Sequence, residues 1–554
     1  GQAHSMSAVG YFTAEIGLWS ELHTYSGGLG VLAGDHVKSA ADSGVPLVGV
    51  TLLYHQGYAR QHIDRQGIQT ETFPEYDPSD YLAKTEIILS LQLDGQPLLA
   101  HVWRADIVGQ SGHVVPVYFI DTRHEANSPE HQDLSSRLYG GDDNVRIRQE
   151  YVLGVGGVQL FDYLDVELKG LHLNEGHCTF AMLELLNRGW SREELAQRSL
   201  FTTHTPVPAG HDRFEWSLVN EVVGDLLPED ARALVNNAGD SERGARCSMS
   251  HLAVALSTSV NAVSKLNADV AMTMFDEQVI QPITNGVHHI TWTSPVLASL
   301  FDDHLNGWRT QPELIAHANS LPKEELTEAR MTARAQLREY VRSTTGIELS
   351  PDRLTIGFAR RFATYKRANL VFKDLERLRK IGAGKIQFVF SGKAHPRDQG
   401  GKQLIRDIFE SAQQIADEIP VAFIENYDMH TGRMMTSGVD IWLNNPIRPM
   451  EASGTSGMKA AMNGVPNCSI LDGWWPEACT HGVNGWSIGN AEDDRDDDRD
   501  AENIYNVLEH DVLPLWERDD DGWTTMMKAS IAVSSGFTGQ RMIQDYLEFY
   551  NQFS

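Results

Sequence analysis

The stretch Leu354-Thr-Ile-Gly-Phe-Ala359, followed at once by Arg360-Arg-Phe-Ala-Thr-Tyr-Lys-Arg367, decides how the chain is read. A short apolar run without alternation reads as a strand buried on both faces, the kind found in parallel sheets. Similar runs recur at Val45–Tyr54, Val114–Asp121, Gly170–Asn174, Leu200–Thr203, Ile386–Ser391, Val421–Glu425, Val439–Asn444 and Pro466–Leu471, with helical stretches between them. Alternation of this kind implies doubly wound α/β sheets. Ligands of such sheets bind outside the carboxyl ends of the strands. There, after Ala359, the sequence sets Arg360, Arg361, Lys366 and Arg367. Cations at a helix start oppose the helix dipole, so an anion site explains them better than a charged helix end.

A chain of 554 residues is too long for one core. The two series of strands suggest two Rossmann-like domains, residues 6–286 and 287–535, joined near Thr284-Asn-Gly286. Residues 536–554 read as a terminal amphipathic helix packing back on the first domain, with Met542, Ile543, Tyr546, Leu547 and Tyr550 on one face. Gly1–Ser5, before Met6, are read as an expression scar. No run of about 18 apolar residues and no signal-peptide pattern is found, so no membrane role is expected. The net charge of −29, from 46 basic and 75 acidic residues, argues against nucleic acid as the main partner. An anionic substrate would need a local basic pocket. Cys178, Cys247, Cys468 and Cys479 show no paired spacing and read as reduced thiols of a cytoplasmic protein, with no metal site. The acidic run Asp493–Asp500 reads as a solvated loop or helix face.

Three further motifs carry chemistry. Tyr25-Ser-Gly-Gly-Leu-Gly30 precedes a helix, and either cradles an anion on backbone N–H groups or is only a tight strand-to-helix turn. His204, after the Leu200 strand, either bonds a sugar hydroxyl or is structural; His204 and His211 lack the helical spacing of a zinc pair. In Glu451-Ala-Ser-Gly-Thr-Ser-Gly-Met-Lys459, the small residues form a turn, the helix is expected near Met458, and Lys459 lies one residue inside it. A helix N-terminus beside a lysine in apolar surroundings suits an aldehyde cofactor that carries a phosphate, and pyridoxal phosphate fits. An ordinary surface lysine on a capped helix is the alternative.

The Lys459 motif resembles the cofactor-lysine motif of the α-glucan (glycogen, starch, maltodextrin) phosphorylases. Ser26-Gly-Gly-Leu-Gly30, Arg146–Tyr151, His172–His177, Thr203–Thr205, Thr284–Gly286, Arg360-Arg361 with Tyr365–Arg367, Ser391–Ala394, Glu425–Tyr427 and Phe537–Arg541 match in order along nearly the whole chain. The resemblance is to the shorter prokaryotic branch. It implies two facing Rossmann-like domains in the GT-B arrangement, with the active site in the cleft between them. It also implies reversible transfer of the terminal α-1,4-linked glucose of a glucan to inorganic phosphate, giving glucose 1-phosphate. Pyridoxal phosphate would be held as an imine on Lys459, with Arg360, Thr455 and Ser456 on its phosphate and Tyr427 packed beside it. Arg361, Lys366 and the Gly28 and Leu29 amides would meet the substrate phosphate. Glu451, Ser453, Gly454, His204, Asn285 and Tyr365 would line the glucose pocket, with Arg361, Lys366, Glu451 and His204 expected to be catalytic. A homodimer is a further family expectation.

The sequence departs from the family pattern at Ser26, Ala363, Asp428 and Gly457. A nucleotide-sugar glycosyltransferase of the same fold is the nearest rival, but needs no imine lysine. A silent glucan-binding protein, using Trp474-Trp475, would leave Arg361, Lys366, Glu451 and Lys459 without purpose.

Overall fold

The computed structural model describes residues 6–276 and 278–553. Gly1–Ser5, read as a scar, lie outside the described residues. The strands are buried where the sequence reads as apolar, and their order is that of two α/β units. The first unit contains the chain up to Tyr58, Phe73–Thr284 and the stretch from Gly539; the second contains Ala59–Thr72 and Asn285–Thr538.

The first unit holds a nine-stranded sheet. Its strands are β1 (Ser7–Thr13), β2 (Leu47–Leu52), β3 (Ala83–Leu93), β4 (Gln96–Val108), β5 (Val114–Asp121), β6 (Glu167–Asn174), β7 (Ser199–Thr203), β8 (Ser259–Ala262) and β9 (Ile280–Pro282), in the order β9-β8-β7-β6-β1-β2-β5-β4-β3. Seven strands are parallel, and β4 and β3 add an antiparallel edge. That edge is not among the sequence expectations, because its strands alternate and are half-exposed. Asp94-Gly95 was the available signal: both residues take positive φ, 57° and 72°, as a two-residue hairpin turn demands. The second unit holds six parallel strands, β10 (Leu354–Ala359), β11 (Ile386–Ser391), β12 (Val421–Ile424), β13 (Ile441–Asn444), β14 (Asn467–Ser469) and β15 (Gly485–Ser487), in the order β12-β11-β10-β13-β14-β15. β10 and β11 are buried at every position. Among the described residues no helix is long and apolar enough to cross a membrane.

One segment departs from a continuous first domain. The hairpin Arg60–Ile63 with Gln69–Thr72 clusters with the second unit. Its buried glutamines explain why. Gln61 accepts the Asn426 N–H at 2.8 Å and donates to the Gly392 carbonyl at 2.9 Å; Gln69 donates to the Ala394 carbonyl at 2.9 Å and accepts the Ala394 N–H at 3.1 Å. Buried amides need such partners; apart from the bond between Gln61 and Gln69 themselves, these lie on the loops after β11 and β12.

The helix Gly539–Tyr550 packs on the helix Gly28–Asp42 of the first unit. Its apolar face buries Met542, Ile543, Tyr546 and Tyr550. Its two tyrosines also complete a directed chain of hydrogen bonds. Thr202 Oγ1 donates to Asn261 Oδ1 at 2.6 Å, so it accepts from His172 Nε2 at 2.7 Å. His172 Nδ1 therefore accepts the Tyr550 hydroxyl at 2.6 Å, and that hydroxyl accepts from His36 Nε2 at 2.9 Å. Asn261 Nδ2 then donates to the Tyr546 hydroxyl at 3.0 Å. The chain requires His172 to be neutral, since its Nδ1 accepts, while His36 donates from Nε2. Burial keeps both neutral, lowering His36 to about 3 and His172 well below its ordinary value. Tyr550→Phe strips one partner from each imidazole and is expected to cost about 1–3 kcal/mol. A melting temperature equal to wild type would contradict the chain as drawn.

Candidate active site

In the second unit the helix Thr455–Met462 begins three residues earlier than the sequence suggests. Gly454 takes the left-handed conformation (φ 81°) and caps it, so Thr455 is already helical. Gly457 lies inside the first turn for packing, not for turning: a Cβ there would run into Asn467 Oδ1 and Trp474 Nε1. Asn467 Nδ2 donates to the Gly457 carbonyl at 2.9 Å. Lys459 therefore sits in the second turn, 5% exposed, between buried Met458, Ala460 and Met462. Its ammonium lies 3.8 Å from the centre of the Trp292 ring. Asn463 ties the helix to that tryptophan, donating to the Trp292 carbonyl at 2.8 Å and accepting the Ser294 N–H at 2.8 Å. No motif in the sequence marks Trp292. The surface-lysine alternative does not hold.

The loops after β10 and β13 bring three charges together. The Glu451 carboxylate, 6% exposed, meets Arg360 Nη2 at 2.7 Å and Lys366 Nζ at 2.9 Å. Arg360 also donates to Asn444 Oδ1, while its buried Nε has no partner. Burial alone would raise the Glu451 pKa; Arg360 and Lys366 outweigh it and hold the carboxyl below its ordinary value. The Glu451 N–H donates to Asp472 Oδ2 at 2.9 Å. Burial, and then the Glu451 charge, pushes Asp472 up to about 7. Arg361 is exposed on the same loop, and the Lys366 ammonium lies 4.8 Å from the centre of the half-buried Tyr365 ring. Ser453 is buried with its hydroxyl unpartnered, Tyr427 is half-buried beside Arg360, and Asn285 is buried at the start of the unit. Trp474 and Trp475 are buried at 2% and 0%, so they form no platform for a sugar.

In the first unit the glycine loop is organised by a residue the sequence did not flag. Glu15 Oε1 accepts the N–H groups of Ser26 (2.9 Å), Gly27 (3.3 Å) and Gly30 (3.1 Å), and Oε2 accepts the Ser26 hydroxyl at 2.9 Å. An internal carboxylate thus fills much of the cradle. The Gly28 and Leu29 N–H groups open the helix and have no acceptor within it. Gly30 and Gly34 lie one turn apart and allow close packing on Glu15–Gly17. His204 Nε2 bonds Asn174 Oδ1 at 2.6 Å, and its N–H donates to Glu175 Oε2 at 2.8 Å. The amide oxygen fixes Nε2 as the protonated nitrogen. Burial lowers His204 to about 4, so it is neutral at pH 7.

Three of the four departures from the family pattern, at Ser26, Asp428 and Gly457, have local reasons. Ser26 bonds Glu15, and Asp428 caps the helix Met429–Gly438 by accepting the Thr431 N–H at 2.8 Å. Ala363 is half-buried, and nothing in the structure explains its choice. His101, His124 and Glu125 gather three metal-type donors within 4.8 Å. However, His124 Nδ1 already accepts the Ala126 N–H at 3.0 Å, and burial, then Lys84, disfavours charge on His101.

Two outcomes follow. Glu15→Ala leaves three backbone donors without an acceptor, at about 1–3 kcal/mol for each that stays unsatisfied; amide exchange at Ser26–Gly30 should accelerate, and unchanged protection would refute the role given to Glu15. Asp472 stays protonated in the folded chain up to about 7, whereas an unfolded aspartate ionises near 4. The folded state then binds more protons across that window, so Asp472's contribution makes stability fall as pH rises through it. Removing the neighbouring charge with Glu451→Gln should flatten that slope in melting temperatures, and an unaltered slope would count against the coupling.

A sequence profile described as carbohydrate phosphorylase matches residues 212–478. Over 98% of this chain, a maltodextrin phosphorylase of Thermococcus litoralis is 39% identical, with 70% of its own length covered. A glycogen phosphorylase of Aquifex aeolicus is 37% identical over 98% of the chain and 86% of its length, and one of Mycobacterium tuberculosis is 36% identical over 98% and 70%. With relatives this similar along nearly its whole length, and with the motif residues gathered as described, the chain belongs to the carbohydrate phosphorylase family.

Proposed function

We propose that this protein is an α-1,4-glucan phosphorylase that transfers the terminal glucose of a maltodextrin or glycogen chain to inorganic phosphate, reversibly, giving glucose 1-phosphate. Two α/β units, each with a mostly or wholly parallel sheet, support the GT-B reading. The second unit is the cofactor-binding half, and the first is the half that binds glucan and phosphate. The buried Lys459, stacked on Trp292 in a helix that opens with Thr455 and Ser456, carries the reading.

The donor set fits pyridoxal phosphate. Lys459 would hold its aldehyde. The Thr455 and Ser456 amides at the helix start and the unpartnered Arg360 Nε would take its phosphate, with Tyr427 beside them. When bound, the cofactor supplies a phosphate group able to exchange a proton with substrate phosphate. The chain's own residues do the rest. Arg360, Arg361 and Lys366 outnumber the Glu451 carboxylate, leaving a positive pocket in an acidic protein that offsets repulsion between two phosphates. Lys366 and Arg361 bind the substrate phosphate and stabilise the charge that develops on it. The Gly28 and Leu29 amides add donors. Glu451, Ser453, Gly454, Asn285 and Tyr365 shape the glucose pocket. His204, in the first unit, serves as a neutral hydrogen-bonding group and not as an imidazolium acid: with a pKa of about 4, its one ring proton at pH 7 is that on Nε2, held by Asn174.

The test joins near-ultraviolet absorbance, before and after borohydride, to an assay of glucose 1-phosphate release from maltodextrin and phosphate. A chromophore fixed by borohydride, missing in Lys459→Ala, together with phosphate-dependent product, is the expected result. Chromophore without product would mean a changed substrate. Neither, after addition of pyridoxal phosphate, would favour a nucleotide-sugar transferase.

A further inference from the structure

Arg367, which follows Lys366, is not part of the reading above, yet it is 3% exposed and left-handed at φ 51°. For a residue other than glycine that conformation costs about 1–2 kcal/mol, so something must hold it. Its guanidinium Nε donates to the Asn445 carbonyl at 3.0 Å and Nη2 to the Pro446 carbonyl at 2.8 Å. Asn445 returns the bonds: its Nδ2 donates to the carbonyls of Lys366 and Arg367, both at 2.9 Å. The Ile447 N–H donates to the Tyr365 carbonyl at 2.8 Å. Residues 365–367 and 445–447 are thereby stitched side by side. The remaining nitrogen, Nη1, reaches Asp500 at 2.8 Å and Asp497 at 3.1 Å. These aspartates belong to the acidic run, which is therefore not only a solvated face. A buried guanidinium requires such a countercharge.

The two stitched segments carry the two ends of one ion pair. Lys366 is in the first, and Glu451 lies four residues beyond Ile447 in the second. A lysine ammonium on its four-carbon stem has much rotamer freedom to lose, and the clasp fixes its backbone on both sides. We propose that Arg367, Asn445 and Asp500 form a positioning clasp that aims the Lys366 ammonium at inorganic phosphate, so that Asp497 and Asp500, at the end of the acidic run, support the phosphate site from outside it. This rests on the phosphorylase reading for the identity of the anion. A merely structural ion pair would affect stability and both substrates alike; a positioning clasp acts on phosphate.

The test uses purified holoprotein, with Arg367→Lys, which cannot form the guanidinium fork, and Asp500→Asn, which keeps the fork and Asp497 but removes the nearer of its two countercharges. The KM for inorganic phosphate should rise about ten-fold in Arg367→Lys, less in Asp500→Asn, with the maltodextrin KM unchanged. Calorimetric titration with inorganic phosphate should show the same loss without turnover. Phosphate affinity unchanged in both variants would overturn the clasp, as would a parallel change in both KM values, or loss of folding as the only effect. Should Arg367→Lys not fold, Asp500→Asn still decides. Wild-type protein that binds phosphate yet releases no glucose 1-phosphate would overturn the phosphorylase reading, and the titrations would judge the clasp separately.

Discussion

A carboxylate shared by an arginine and a lysine, buried at the ends of two parallel strands, is the constraint around which the second unit is built. Glu451 cannot be removed from water without Arg360 and Lys366, and neither cation can be held there without Glu451. Removing one member of such a group costs about 3–5 kcal/mol, because it strands an uncompensated charge. The surrounding architecture can be understood as keeping the three together. Asp472 fixes the Glu451 backbone, Asn444 turns Arg360, and the stitched loops hold Lys366. None of these is needed to form a Rossmann-like sheet. They are needed to place opposite charges within 3 Å in a medium that penalises each.

Within its core the first unit solves the same kind of problem with neutral groups. Its core contains His36, His172, Thr202, Asn261, Tyr546 and Tyr550, whose donors and acceptors run in one consistent direction. The glycine loop is likewise satisfied from within, by Glu15. A glycine-rich turn ahead of a helix is compatible with an external anion. Here most of its amides serve an internal one, and only those of Gly28 and Leu29 open the helix without an acceptor in it.

How much could be read from the sequence depends on whether a feature is local. Strands such as Leu354–Ala359 and Ile386–Ser391 are legible because burial on both faces leaves unbroken apolar runs. Ala83–Leu93 and Gln96–Val108 are not, because half-exposed strands alternate. Lys459, Arg360 and Glu451 are visible as motif residues. Trp292 is not, because it meets Lys459 from far along the chain; Glu15 and Asp472 are not, because each bonds backbone N–H groups of a nearby loop, which no residue pattern marks. The acidic run is the solvated loop and helix start that its composition suggests, but composition averages over its residues and cannot show that Arg367 selects Asp497 and Asp500 from them. The start of the Lys459 helix was misplaced because a glycine reads as a turn whether it caps a helix, as Gly454 does, or packs inside one, as Gly457 does.

The return of the helix Gly539–Tyr550 to the first unit has a consequence for biosynthesis. Chains emerge from the ribosome N-terminus first, and domains ordinarily fold in that order. Here Tyr546 and Tyr550 close the polar chain in the first unit, yet they are made after Asn285–Thr538. The hairpin at 59–72 is the mirror case, made early but seated on loops that appear more than three hundred residues later. Neither unit can reach its final form as an isolated nascent domain. Each must wait, partly open, for a piece delivered with the other, and the period between their synthesis is when exposed apolar surface would most need a chaperone.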